Sequence, residues 1–320
     1  MALREVQVHA PSRIHLGLLS FGHHDQPLGG VGLMIRPPGL ELGIRPASQF
    51  TVDGPLASRV EYFARRWADF HGLDSLPGCQ IRVSQAPEQH VGLGTGTQLG
   101  LSVVAGLSRF MAMPDLSVSE LAAAAGRAAR SAIGTHGFVH GGLIVERGRQ
   151  RSEPIAPLEC RLPLPEDWRL VLVRSAEQQG LSGDAERKAF HSLPAVPADV
   201  TGRLLEEVQQ CMLPTLVDCD FAGFAESVHR YGNLAGSCFA TIQGGPYNGK
   251  ILNQRVAWLR SLGFSGVGQS SWGPTLFVLA ADQQQAQHVV GQLHDCPSGE
   301  RLQAEIALPC NQGAEIVVSG

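Results

Sequence analysis

The chain has 320 residues, of which 43% are apolar and 17% charged, with a net charge of −4 and a pI near 6.3. That length exceeds one comfortable hydrophobic core and predicts two domains, while the charge balance offers no basic surface to hold nucleic acid by counterion release. The seven cysteines (Cys79, Cys160, Cys211, Cys219, Cys238, Cys296, Cys310) are scattered and odd in number, without a Cys-x-x-Cys pair, which argues against a disulfide framework or a structural zinc and fits reduced thiols.

Residues 6–10 alternate as a first strand that Pro11 is expected to close, followed by the polar-apolar segment 12–19 and a Gly/His/Asp/Pro loop through Gly32. The opening residues lack the basic start and apolar run of a secretory leader. No stretch approaches the roughly 20 apolar residues that span a bilayer. The expectation is a cytoplasmic protein that acts on small molecules, without membrane or nucleic acid.

Val60, Phe63, Ala64, Trp67 and His71 recur at helical spacing, with Gly72 where a helix C-terminus favours it, so residues 56–71 are predicted as an amphipathic helix. A short strand at 81–86 ends at Pro87. The turn Gly92-Leu-Gly-Thr-Gly-Thr-Gln98 follows and runs into a helical pattern at 99–110 whose buried face is Leu99, Val103, Leu107 and Phe110. Glycines at 92, 94 and 96 let the backbone approach a ligand, and the first N–H groups of the helix point at whatever fills the turn. A phosphate or pyrophosphate is the natural occupant; a tight turn without ligand is the competing reading.

Ser117 and Glu120 form a capping box, and the Ala-rich run behind them predicts a helix to Arg130. Residues 134–142 read as a glycine/histidine loop leading to a strand at 143–146. The proline-rich interval 149–167 has no sustained period and places a domain boundary near 165, giving units 1–165 and 166–320. In the second half, strands are predicted at 168–174, 275–280 and 315–319, and helices at 200–212, 221–231, 251–262 and within 282–294. Strands and helices mix without regular βαβ alternation, so the fold class is α+β.

Three segments carry a family likeness: Ala-Pro-Ser-Arg-Ile-His-Leu-Gly-Leu at 10–18, the turn at 92–98, and the stretch 131–142, with a weaker trace at 268–273. They resemble the superfamily of galactokinase, homoserine kinase and mevalonate kinase (GHMP), and more specifically its non-kinase branch, the β-ribofuranosylaminobenzene 5′-phosphate synthases. The kinases carry Gly-Leu-Gly-Ser-Ser-Ala, whereas here Gly96 stands at the second serine position and the hydroxyl has moved to Thr97. Counting back from Gly141-Gly142 places the kinases' catalytic aspartate on Gly134, with Ser131 and Ile133 still matching. A kinase uses that carboxylate on the acceptor hydroxyl.

The resemblance implies a two-domain GHMP fold, with an N-terminal ribosomal-protein-like αβ domain and a C-terminal ferredoxin-like domain. It also implies condensation of phosphoribosyl pyrophosphate with 4-aminobenzoate or 4-hydroxybenzoate, with release of pyrophosphate and CO2, in tetrahydromethanopterin biosynthesis. Magnesium, no requirement for ATP, and a homodimer are part of the same expectation. An ATP-dependent small-molecule kinase and a non-catalytic phosphate-sensing module are the alternatives.

Gly92, Gly94, Thr95, Gly96, Thr97 and Gln98 are the candidate phosphate contacts. Arg13 and His15 lie two apart and share one face of an extended segment, so both reach the same ligand; with His136 they are the candidate catalytic residues. His136 and His140 are spaced i, i+4 and are read as pocket-lining or general-acid groups rather than zinc ligands. Asp184 and Glu186 are candidate magnesium partners, or an acidic pair at a helix N-terminus. The adjacent His23, His24 and Asp25 are read as solvated, and Arg127 and Arg130 as an ordinary solvated helix face. Ser270, Ser271 and Trp272 are expected to form a turn closing over the site.

Overall fold

The computed structural model describes residues 4–21, 29–175, 193–297 and 300–320. Its frame is a pair of long antiparallel strands, β1 (Glu5–Leu18) and β2 (Gly30–Pro46). β1 buries alternate residues Val6, Val8 and Ala10, then becomes buried on both sides from Pro11 onward. Pro11 does not end the strand, contrary to the sequence reading. The register shifts between Pro11 and Ser12, and a bulge tolerates the missing N–H of a proline. β2 escaped prediction because four glycines and Pro37-Pro38 interrupt its apolar alternation.

β3 (Thr51–Asp53), α1 (Ala57–Phe70) and β4 (Cys79–Gln85) follow, then α2 (Thr95–Phe110), α3 (Val118–Ala125), α4 (Ile133–His140), β5 (Leu143–Glu146) and β6 (Leu158–Leu162). α1 and α2 pack Phe63, Trp67, Leu99, Val103 and Leu107 against Val8 and Leu42 of the sheet. This burial sustains α1, whose N-terminus has no side-chain cap.

Two corrections fall here. α3 forms with the predicted capping box but stops at Ala125, because Gly126 takes φ +61° and closes the helix in the left-handed conformation. Residues 133–140, expected as a loop, are helical. Gly137 is a packing requirement there: a Cβ would fall 2.2 Å from the Met34 sulfur, so close apposition to β2 outweighs the poor helix propensity of glycine.

β7 (Arg169–Ser175), β8 (Val267–Gln269), β9 (Leu276–Ala280), β10 (Leu302–Pro309) and β11 (Glu315–Ser319) complete the strands among the described residues. The order is β11-β1-β2-β10-β7-β9-β8, with β4 and β5 also pairing with β2. β10 pairs along β7 and reaches β2 at Leu308 and Pro309, and β11 returns to pair with β1. One core runs through both halves, from Ile14 and Leu33 to Leu172, Phe224, Val228 and Phe277. The helix Phe221–Ser237, capped by Asp220, packs Tyr231 into it, with the phenol hydroxyl donating to the Gly17 carbonyl over 3.0 Å. All seven cysteines are free thiols. Among the described residues no helix is long and apolar enough to cross a membrane.

Candidate active site

β4 leads into the glycine turn, and the helix behind it starts earlier than its apolar face suggests, at Thr95. Gly94 sits at the N-cap with φ +74° and has no side chain to cap with, and the N–H groups of Thr95 and Gly96 find no acceptor among the described residues. The next two, of Thr97 and Gln98, donate to the Gly94 carbonyl over 2.9 and 3.1 Å. The open end of α2 thus presents donors and the positive end of its dipole to one point.

Gly92 has a different task. With φ +93°, its missing Cβ would lie 2.4 Å from the Ser270 carbonyl oxygen. The Ser270 hydroxyl donates to the Gly92 carbonyl over 2.8 Å and accepts the His15 N–H over 3.1 Å. Ser271 N–H donates to the His15 carbonyl over 3.0 Å, and the Thr275 hydroxyl to the Val91 carbonyl over 2.6 Å. Arg13 N–H donates to the Leu93 carbonyl over 3.0 Å. These bonds fasten β1, the turn and a loop 250 residues away in sequence into one rigid wall.

That wall bounds a cavity of about 710 Å³. Arg13 and His15 line it together, as their spacing on one strand face predicts, with Gly92, Gly94, Thr95, Gly96 and Thr97 beside them. Ser271 and Trp272 close it from the second half, with Phe239 and Tyr247. Arg59, Arg127 and Arg130 add cations. The expected solvated face for Arg127 and Arg130 is therefore corrected: Gly126 ends the helix before them and turns both into the cavity. Arg59 was not foreseen, because on α1 it reads as one more polar-face residue.

Four arginines and no aspartate or glutamate line this cavity among the described residues. Burial lowers Arg127 to about 10, helped by repulsion from Arg59 and Arg66, and it stays cationic at neutral pH. His15 is held well below its usual value by burial and then by the neighbouring Arg13, so its imidazole is neutral. The arrangement is built for an anion.

Other expected residues stand elsewhere. Gln98 is buried, and its amide donates to the Gly134 carbonyl over 2.9 Å, anchoring α4 rather than facing the cavity. His136 is buried with Nε2 2.8 Å from the Ala156 carbonyl and is not a lining residue. It does stack with His140, ring centroids 6.4 Å apart, on helical support that the sequence reading did not give them. His23, His24, Asp25, Asp184 and Glu186 lie outside the described residues.

A Cβ at Gly134 would meet the Thr97 methyl carbon at 3.1 Å and Arg13 Cδ at 3.7 Å. The point from which a kinase aspartate would project is thus bordered closely by the site's own side chains. A carboxylate that sequence reasoning missed, Glu146, reaches the start of α4. It is fully buried, accepts the Ala132 N–H over 2.6 Å, and is pushed up to about 7 by burial, against the opposing pull of Ser131, Ala132 and Arg13. An acid ending the otherwise apolar strand 143–146 was the available signal.

No group of three or more His, Cys, Asp or Glu placed to hold a metal occurs among the described residues. The cavity lining offers hydroxyl and amide oxygens, at Thr95, Thr97, Ser131, Gln243 and Gln269 among others, but no carboxylate among the described residues, and the expected magnesium partners Asp184 and Glu186 lie outside them.

Residues 220–297 match the family described as GHMP kinases C terminal. Among curated proteins, the chain is 28% identical to a beta-ribofuranosylphenol 5'-phosphate synthase from Archaeoglobus fulgidus, covering 98% of this chain and 100% of the relative. It is also 28% identical to a protein of the same name from Methanothermobacter thermautotrophicus, covering 85% and 88%. Among solved structures, mevalonate diphosphate decarboxylase from Staphylococcus aureus superposes with a TM-score of 0.66 at 14% identity, covering 98% of each chain. The last likeness shows the fold, a two-domain α+β GHMP fold.

Proposed function

From a chain similar over nearly its whole length to beta-ribofuranosylphenol 5'-phosphate synthases and folded as the GHMP kinases are, we propose a phosphoribosyl-transferring, decarboxylating synthase. The reaction joins phosphoribosyl pyrophosphate to 4-aminobenzoate or 4-hydroxybenzoate within tetrahydromethanopterin biosynthesis. The ring carbon bearing the carboxylate bonds to ribose C1 as the C1–O bond to pyrophosphate breaks. The carboxylate then leaves as CO2, and the electron pair of its C–C bond restores the aromatic ring.

The observation that carries this reading is the composition of the cavity lining, which combines the open α2 terminus, Arg13, Arg59, Arg127 and Arg130 with the aromatic side chains Phe239, Tyr247 and Trp272. Negative charge develops on departing pyrophosphate, and fixed cations and N–H dipoles stabilise it without reorganising. The aromatic side chains suit a benzoate ring, and position 134 offers no carboxylate to activate a hydroxyl for phosphoryl transfer. A phenol product, as in the relatives' name, corresponds to 4-hydroxybenzoate; 4-aminobenzoate is its amino counterpart. Magnesium belongs to the proposal as a requirement to be measured, with no step assigned to it.

The purified protein, given phosphoribosyl pyrophosphate, magnesium and either benzoate without ATP, is expected to release pyrophosphate and CO2 in equal amounts. No pyrophosphate release, with ADP formed from ATP and an alcohol, overturns the reading.

A further inference from the structure

Arg59 stands in the first turn of α1 and Arg127 directly follows the residue that closes α3, so two separate elements bring their side chains to one place. Their guanidinium carbons lie 6.0 and 5.0 Å from the centroid of the same Phe63 ring. Arg66 stands close enough to repel Arg127 and donates to the Ala123 carbonyl over 3.1 Å. Arg59 is bonded to a neutral partner, the Gln89 side chain. Among the described residues no carboxylate pairs with Arg59, Arg66 or Arg127, and the Nε of Arg127 is buried without a partner.

Clustered like charges with an unsatisfied buried donor are unfavourable alone, and an anion reverses the balance. The cluster also touches the glycine cradle. A Cβ at Gly96 would lie 2.5 Å from an Nη atom of Arg59, so this guanidinium rests on the second residue of α2, whose own N–H is open. Two sets of donors therefore adjoin, one of backbone N–H groups and one of guanidinium groups.

We propose that Arg59 and Arg127 form a second phosphate subsite, next to the glycine cradle, that takes another phosphate of the same substrate. The proposal rests on the phosphoribosyl pyrophosphate reading. Two oxygens of a tetrahedral phosphate accept the paired N–H groups of a planar guanidinium fork, and Phe63 holds the two forks in place. Its source is either the outer phosphate of the pyrophosphate or the 5′-phosphate of the ribose.

Titration calorimetry with inorganic pyrophosphate and with ribose 5-phosphate, on wild type, Arg59→Gln, Arg127→Gln and Arg127→Lys, tests it, with far-UV circular dichroism as the folding check. Each glutamine variant is expected to lose at least about 10-fold in affinity for one probe, the loss of one charge-assisted contact, and Arg127→Lys less. Loss confined to pyrophosphate identifies the outer phosphate; loss confined to ribose 5-phosphate identifies the 5′-phosphate. Folded variants with wild-type affinity for both probes overturn the subsite alone. Failure of the wild type to bind either probe overturns the subsite and the proposed function together.

Discussion

Gly134 packs against Thr97 so closely that a Cβ on the glycine would sit 3.1 Å from the threonine methyl carbon. Gly134, where the resemblance to the kinases puts an aspartate, and Thr97 are thus neighbours, and Arg13 Cδ lies 3.7 Å from the same point. Gly134→Asp forces a carboxylate into that contact and beside Arg13, which under the proposed reaction holds the anion. Pyrophosphate release is expected to fall at least about 10-fold, roughly 1.4 kcal/mol of transition-state stabilisation, without ATP-dependent phosphorylation appearing. Gly134→Ala, which asks Thr97 to give by tenths of an ångström, is expected to retain most of the activity. Gain of kinase turnover by Gly134→Asp contradicts this account.

Glu146 makes stability depend on pH in a defined direction. Its folded value of about 7 lies above its ordinary 4.5, so the folded state binds this proton more tightly than the unfolded chain. The resulting stability is fully present below pH 4.5 and is lost as pH rises through 7. Glu146→Gln removes that loss. Urea unfolding at pH 5 and pH 8 is expected to show the variant gaining on the wild type by about 2.5 kcal/mol across the interval. A constant difference between the two proteins would exclude burial of a titrating carboxylate.

Ser270 joins the two halves of the chain through one hydroxyl. Ser270→Ala leaves the His15 N–H and the Gly92 carbonyl without this partner in a fully buried setting. A loss of about 2 kcal/mol or more in unfolding free energy is expected, together with a raised KM for phosphoribosyl pyrophosphate as the turn loosens. A change below about 0.5 kcal/mol, within the ordinary range for surface substitutions, argues against the fastening role.

Trp272 forms an edge contact with Phe239, centroids 5.0 Å apart and planes at 76°, and Phe239 lies 4.6 Å from Phe21. Under the proposed reaction this aromatic stack receives the acceptor ring. Trp272→Ala is expected to raise the KM for the benzoate by about 10-fold through lost area and ring contact, with a much smaller effect on phosphoribosyl pyrophosphate. Equal effects on both substrates would place Trp272 in general closure of the cavity instead.

The glycine turn that opens α2 was legible in the sequence because its geometry is local. Gly94 and the first residues of α2 need only a left-handed cap and a following apolar helix face, and both are written within some twenty consecutive residues. The pairing of Arg13 with His15 was legible for the same reason, through the two-residue repeat of a strand. The capping box of α3 and the apolar face of α1 also emerged as local patterns predict.

The remainder depended on tertiary structure. Whether Arg59, Arg127 and Arg130 face water or substrate follows from where Gly126 stops a helix and which helices pack together, and polar periodicity does not encode that. The helix at 133–140 overrides its glycines because Met34 presses on Gly137, a contact between residues about a hundred positions apart. β2 and β10 gain their stability from partners on both sides, which relieves them of a clean alternation. Sequence alone determined the glycine turn that opens α2 and the absence of a carboxylate at 134, since both are properties of single short segments. The charge and aromatic polarity of the cavity around them was decided by packing, because its walls come from distant parts of the chain and exist only when the core of both halves is closed.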